Sequence, residues 1–188
     1  MRHFRSLVLG AGAVVIGRAL LIQLLLARFR RDVQRLNAGD YQPLLSGYAD
    51  DAVLRFHRGP HRWSGDHHGK AAIERFFRNF TGAGLEGQIR SLWIGGAPWA
   101  LTLVARFDDH APGRDGEDLY ANRVVVVART RWGKIVEHED FYENTGRIVE
   151  FEGKLQALGV EPGAQSSGDA LGSLDASSAI SSAESALS

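Results

Sequence analysis

Apolar and polar positions divide the chain into stretches with different periods. From Ser6 to Ala27 nearly every residue is apolar, interrupted by Arg18 and Gln23. From Leu26 the pattern becomes one-sided. Leu26, Phe29, Val33 and Leu36 recur at three- and four-residue steps, which is the stripe of an amphipathic helix. Asn37-Ala38-Gly39 ends that helix, Gly39 being suited to a left-handed C-terminal position. Asp40 then predicts a cap for a short second helix through Gln42, Pro43, Leu44 and Leu45, with Tyr48 to Asp51 closing the turn. Ala52 to Phe56 predicts a first strand centred on Val53 and Leu54. His57 to Gly69, rich in Gly, His and Pro, predicts a loop or distorted hairpin. Lys70 to Phe80 carries the clearest helical signal, with Ile73, Phe76, Phe77 and Phe80 on one face.

Beyond Thr81-Gly82-Ala83-Gly84 the period changes to two. Gln88 to Ile94 predicts a strand, turned by Gly95-Gly96-Ala97-Pro98. Trp99, Leu101, Leu103, Ala105 and Phe107 then alternate with polar residues. Asp108 to Asp118 predicts a polar loop. Leu119 to Thr130 predicts a long strand whose run Val124–Val127 implies burial on both faces. Gly133 turns the chain into a last strand, Lys134 to Glu143, and Ile148 to Leu158 predicts a terminal helix. Helices first and a strand meander afterwards imply an α+β fold: a curved antiparallel β-sheet wrapped around three N-terminal helices in a single domain. From Pro162 onward Ser, Ala and Gly make up 18 of 27 residues. Such a segment cannot offset its ordering entropy by apolar burial. The expected organisation is therefore a hydrophobic helix over residues 1–27, a domain over residues 28–160 and a disordered tail over residues 161–188.

Charge modifies this picture only at the N-terminus. Basic and acidic residues balance at 22 each, so no global field favours nucleic acid, and no nucleic-acid partner is expected. Arg28, Arg30, Arg31 and Arg35 follow the apolar run. The length of that run suits a bilayer, since about 20 apolar residues cross one. Arg18 opposes insertion by about 2.5–3.5 kcal/mol, nearly cancelling the leucines. Membrane association through residues 6–27 is the expectation, with the domain on the cytoplasmic side by the positive-inside rule. A helix packed as an extension of the first domain helix, in a soluble cytoplasmic protein, stays open beside it.

Four short segments carry a resemblance. Asn37-Ala38-Gly39-Asp40-Tyr41 follows the first helix, and Tyr48-Ala49-Asp50-Asp51-Ala52 enters the first strand. Gly65-Asp66-His67-His68-Gly69-Lys70-Ala71-Ala72-Ile73 leads to Phe76-Phe77, and Gly133-Lys134-Ile135-Val136-Glu137-His138-Glu139-Asp140 forms the last strand. In this order they resemble the SnoaL-like branch of the nuclear transport factor 2-like superfamily over about residues 28–145. The resemblance implies a ketosteroid isomerase-like, cystatin-like cone with a ligand pocket inside, and a homodimer through the outer sheet face. Trp93, Trp99 and Val124–Val127 could supply that face or fill the core. The position at which ketosteroid isomerases carry their catalytic Asp is Phe56 here, which cannot move a proton. Their second acid would fall near Val124 or Val125.

Candidate chemistry concentrates on the last strand. Period two puts Val136, His138, Asp140 and Tyr142 on one face, and the resemblance turns that face into the cone. A His–Asp pair in an apolar pocket suits general acid–base catalysis, and equally a satisfied polar pair. His138 and Asp140 are the catalytic candidates, with Tyr142, Val136, Phe56, Leu54 and Trp63 as substrate-binding candidates. The expected ligand is a small hydrophobic molecule. Isomerase- or cyclase-like chemistry and a non-catalytic binding or assembly module remain open beside each other. The chain has no cysteine, and the spacing of His57, His61, His67 and His68 does not match a metal site. No metal and no cofactor are therefore expected. Trp63 could cover the pocket mouth or anchor its loop.

Overall fold

The computed structural model describes residues 2–113 and 118–163, and side chains from Gly17 onward except Arg18. The elements run α1 (Arg2–Asn37), α2 (Gln42–Ser46), β1 (Tyr48–Phe56), β2 (Gly65–His68), α3 (Lys70–Gly82), β3 (Glu86–Ala97), β4 (Ala100–Pro112), β5 (Asp118–Arg131), β6 (Lys134–Tyr142) and α4 (Thr145–Ala157). Six strands form one sheet in the order β2-β1-β6-β5-β4-β3, antiparallel except for the parallel pair β1 and β6. The architecture is an open curved sheet with helices on its concave side.

Burial follows the periodicity. On α3 Ile73, Phe76 and Phe77 are buried against Tyr48, Leu54 and Phe56 in the main core. Truncating such a side chain to Ala costs about 2–5 kcal/mol. A second cluster joins Val33 of α1 to Ala105, Phe107 and Val124 on the sheet. The C-terminus of α1 is tied to the sheet edge by polar contacts. Asn37 donates from Nδ2 to Gly87 O at 3.1 Å and accepts from Gly87 N at 3.0 Å, occupying backbone groups that edge strand β3 would otherwise expose.

Five expectations are corrected. Tyr48 to Asp51 belong to β1 rather than to a turn before it. The hairpin strands are longer than predicted, so Asp108 to Pro112 and Asp118 belong to β4 and β5 rather than to a polar loop. The run Val124–Val127 is buried on one face only. Val124 is buried, whereas Val125 is exposed, because the helices cover only the concave side. α1 continues without a break across the boundary expected at residue 27. Among the described residues no helix is long and apolar enough to cross a membrane, and much of the predicted span at 6–27 lies outside the described side chains. The predicted tail, from residue 164 on, lies outside the described residues.

Candidate functional site

The concave face of the sheet and the helices enclose a cavity of about 120 Å³. Phe29 and Val33 from α1, Phe76 and Phe77 from α3, and Leu103, Phe107 and Val126 from the sheet make its apolar wall. The polar lining is Tyr48, Asp109, Thr130, His138, Asp140 and Tyr142. Thus period two did bring His138, Asp140 and Tyr142 to one cavity.

Val136 does not reach it. The β5–β6 register shifts between Arg129 and Thr130, so that Thr130 pairs with Ile135 and Arg129 with Glu137. A bulge of this kind inserts an unpaired residue and resets the alternation. Ile135 consequently lines the cavity and Val136 does not. Leu54, Phe56 and Trp63 are core residues. Phe56 packs against Tyr142, 5.1 Å between ring centroids. Trp63 is 2% exposed and stacks on Phe151 of α4, so it anchors its loop and covers no mouth.

Two hydrogen-bonded groups meet in the cavity. In the first, the hydroxyl of Tyr48 bonds His138 Nδ1, and His138 Nε2 lies 2.6 Å from Asp140 Oδ1. Burial, and then the charge of Asp140, hold the Tyr48 hydroxyl well above its usual range. It keeps its proton and can donate it to Nδ1, which leaves the ring hydrogen on Nε2, aimed at Asp140. Both nitrogens of His138 are then occupied. Asp140 Oδ2 has no protein partner among the described residues.

In the second group the Tyr142 hydroxyl donates to Asp109 Oδ2 at 2.9 Å. Asp109 is buried, and burial lifts its carboxyl from the ordinary value to about 7. The hydrogen bond from Tyr142 opposes that rise, while the charges of Asp140 and Asp108 add to it. Burial also raises the Tyr142 hydroxyl, with Asp109 and Asp140 adding to it. Room beside Asp109 comes from Gly87, where a Cβ would stand 3.3 Å from Asp109 Oδ1 and 3.2 Å from the Phe107 ring. A carboxyl titrating near neutrality beside an anchored second carboxylate is an arrangement that separates acid and base roles.

Tyr48 and Asp109 were not among the sequence candidates. Asp109 was hidden in a run of polar residues, although it continues the odd-numbered face of Ala105 and Phe107. Tyr48 meets His138 across 90 positions of sequence, through the parallel β1–β6 pair, and no local signal marks that contact.

Comparison with known proteins agrees with this fold. The SnoaL-like domain family matches residues 29–138. The chain belongs to that family. None of the curated proteins matches it. Among solved structures, Bal32a from a soil-derived mobile gene cassette superposes with a TM-score of 0.56 at 19% identity, covering 67% of this chain and 94% of that one. TerC co-crystallised with polyporic acid gives 0.53 at 20%, covering 70% and 97%. A nuclear transport factor 2-like protein from Burkholderia pseudomallei gives 0.54 at 18%, covering 68% and 95%. At these identities the structural likeness shows the fold alone, which is the nuclear transport factor 2-like, cystatin-like cone.

Outside the cavity, the histidines of this SnoaL-like domain do not converge on a cation. His57 and His61 face each other, Nε2 to Nε2 at 3.0 Å. Burial, then the neighbouring His57, depress His61 to about 4 against the pull of Glu152. His67 Nε2 bonds the backbone oxygen of Trp63 at 2.9 Å. Among the described residues no group of three or more His, Asp or Glu side chains could hold a metal ion.

Proposed function

We propose that the domain over residues 28–160 binds a small, largely apolar molecule in the cone and moves a proton on it. The observation that carries this reading is empty apolar volume directly against two carboxyls with different partners. A cavity of about 120 Å³ is comparable to the roughly 150 Å³ apolar cavity that holds a benzene ring, so one ring or a short branched chain fits. Asp140 Oδ2 is the base. His138, with both nitrogens engaged, positions Asp140 rather than touching the ligand. Asp109, half protonated near pH 7, is the acid that gives a proton to a carbonyl oxygen or to an alkene carbon as Asp140 removes one from a neighbouring carbon. That is isomerase- or cyclase-like chemistry. Binding without turnover is the second reading, and the same lining supports it.

Mass spectrometry of small molecules that co-purify with the protein tests the reading. A bound apolar compound that is lost from Asp140→Asn and altered covalently by the parent protein supports catalysis. A compound retained unaltered supports binding alone. A cavity that never retains a compound, in parent or variants, removes the proposal.

Two associations extend it. A homodimer through the convex sheet face is favoured by Trp93, Val125 and Phe141, which are exposed there. Sedimentation of Phe141→Glu against the parent tests that contact. Association of α1 with a membrane surface is favoured by Leu20, Leu21 and Leu24, all exposed to solvent.

A further inference from the structure

One end of the sheet exposes apolar side chains that receive nothing in return from the fold. The β3–β4 turn places Trp99 there, 55% exposed, and the β5–β6 turn places Trp132 there, 78% exposed. The two turns touch, Trp132 N donating to Trp99 O at 2.9 Å. Trp132 has a positive φ of 51°, unusual for a residue other than glycine, and is followed by Gly133 at 78°. That pair of left-handed residues makes a tight two-residue hairpin turn, a place where Asn, Asp or Gly is favoured and a bulky side chain is strained. The sequence therefore keeps a tryptophan where it neither packs nor suits the backbone. Strain of this kind persists where it serves a function.

α1 leaves the domain at the same end. Asn37 is fixed at Gly87, near the start of β3, and Phe29 packs on Phe107 at 6.3 Å between ring centroids. Leu92 and Leu103, further towards the β3–β4 turn, belong to the same cluster as Phe29 and Val33. Followed backwards from Asn37, the helix thus runs towards that turn. Leu24 and Leu20 lie roughly 7 and 13 Å further along its axis than Phe29. Arg129, Arg131 and Lys134 surround the β5–β6 turn, against Asp51 and Glu137. Arg28, Arg30 and Arg31 are exposed on α1. Exposed indole rings, exposed leucines on the helix that runs towards them and basic side chains beside both match the composition of a bilayer interface.

We propose that Trp99, Trp132 and the exposed leucines of α1 form one docking end for the surface of an anionic phospholipid bilayer. The proposal rests on the membrane reading of α1 and adds a second, independent contact from the sheet. Docking at two points fixes the orientation of the cone on the membrane, as one helix alone does not. Amphiphilic or lipid-dissolved molecules are then the ligand supply that such an orientation would favour.

The test uses the full chain with vesicles of phosphatidylcholine and phosphatidylglycerol, followed by sedimentation and by quenching of tryptophan fluorescence with brominated phosphatidylcholine. The parent protein is expected to sediment with the vesicles and to be quenched. Trp99→Ser combined with Trp132→Asn should bind about tenfold more weakly, given the apolar area withdrawn from the interface, and should lose the quenching. Glu150→Gln, exposed on α4, should change neither. Trp132→Asn alone should raise the melting temperature by relieving the left-handed strain, so that stability and vesicle binding move in opposite directions. If the full chain fails to sediment with vesicles, the membrane reading and the docking end both fall. Sedimentation of the double variant like the parent, without quenching in either, overturns only the docking end and leaves α1 as the contact. A change of oligomeric state in the double variant without vesicles assigns the turns to a second copy of the chain and overturns the proposal.

Discussion

Arg62 and Glu152 are at least as deeply buried as His138 and Asp140. Their side chains are 2% and 6% exposed, against 11% and 6% for the cavity pair. The two regions differ in what surrounds the charges. Glu152 accepts from Arg62 Nε at 2.8 Å, from Arg62 N at 3.2 Å and from Gln156 Nε2 at 3.1 Å, while Arg62 Nη2 also reaches Val160 O at 2.8 Å. Beside the pair, Trp63 stacks on Phe151 of α4. The His138–Asp140 pair borders empty space and leaves a carboxylate oxygen unengaged. Burial and hydrogen bonding alone therefore do not mark a site. A polar group becomes a candidate for chemistry where its last valence faces a cavity rather than the protein.

That contrast can be broken by substitution. Glu152→Ala leaves Arg62 charged, buried and unpaired, so it should destabilise by about 3–5 kcal/mol in denaturant titration. Ligand binding by the fraction that remains folded should persist. If Glu152→Ala costs under about 1 kcal/mol, within the range of exposed pairs, the lock does not hold the loop to α4.

Asp109→Asn should act in the opposite direction and with a pH signature. Burial has raised the folded carboxyl to about 7, above its unfolded value of about 3.9. The neutral form is favoured in the fold, so the native state loses stability as pH rises from about 4 to about 7 and is level above that. The Asn variant lacks this loss. Its stability relative to the parent should climb across that window by no more than about 4 kcal/mol. Flat parallel pH profiles would show that Asp109 is ionised in the fold.

His61 tests the closed region from the acid side. Its folded value lies near 4 and its unfolded value near 6.5. A histidine held neutral contributes stability that is present above its unfolded value and is lost as pH falls towards its folded one. His61→Gln should therefore flatten the acid limb between about pH 6.5 and 4, by on the order of 3 kcal/mol at most. An unchanged acid limb would assign that sensitivity to other groups.

The cavity pair should show a smaller stability effect and a larger functional one. His138→Ala removes a donor from Asp140 and an acceptor from Tyr48, costing about 1–3 kcal/mol, and should abolish ligand binding or turnover. Glu137→Ala and Glu139→Ala, pointing away from the cavity, should stay within about 0.5 kcal/mol. If the glutamate changes impair binding and His138→Ala does not, the working face of β6 is the other one.

The local sequence was sufficient for α3 and for the alternation of His138, Asp140 and Tyr142 on β6. Hydrophobic period fixes which way a helix or strand turns, because one face must leave water and its spacing is set by backbone geometry. Ile73, Phe76 and Phe77 on α3 follow from that alone, as does the shared face of His138, Asp140 and Tyr142 on β6, which the family resemblance turned inward. Tertiary structure decided the rest, because each remaining feature depends on pairing between distant segments. The bulge that exchanges Val136 for Ile135 exists only in the register of β6 against β5. Tyr48 reaches His138 only because β1 runs parallel to β6. Asp109 reads as solvated by its neighbours, yet its pairing with β3 and β5 puts it inside the cone, where removal from water, which no local pattern encodes, raises its carboxyl towards neutrality.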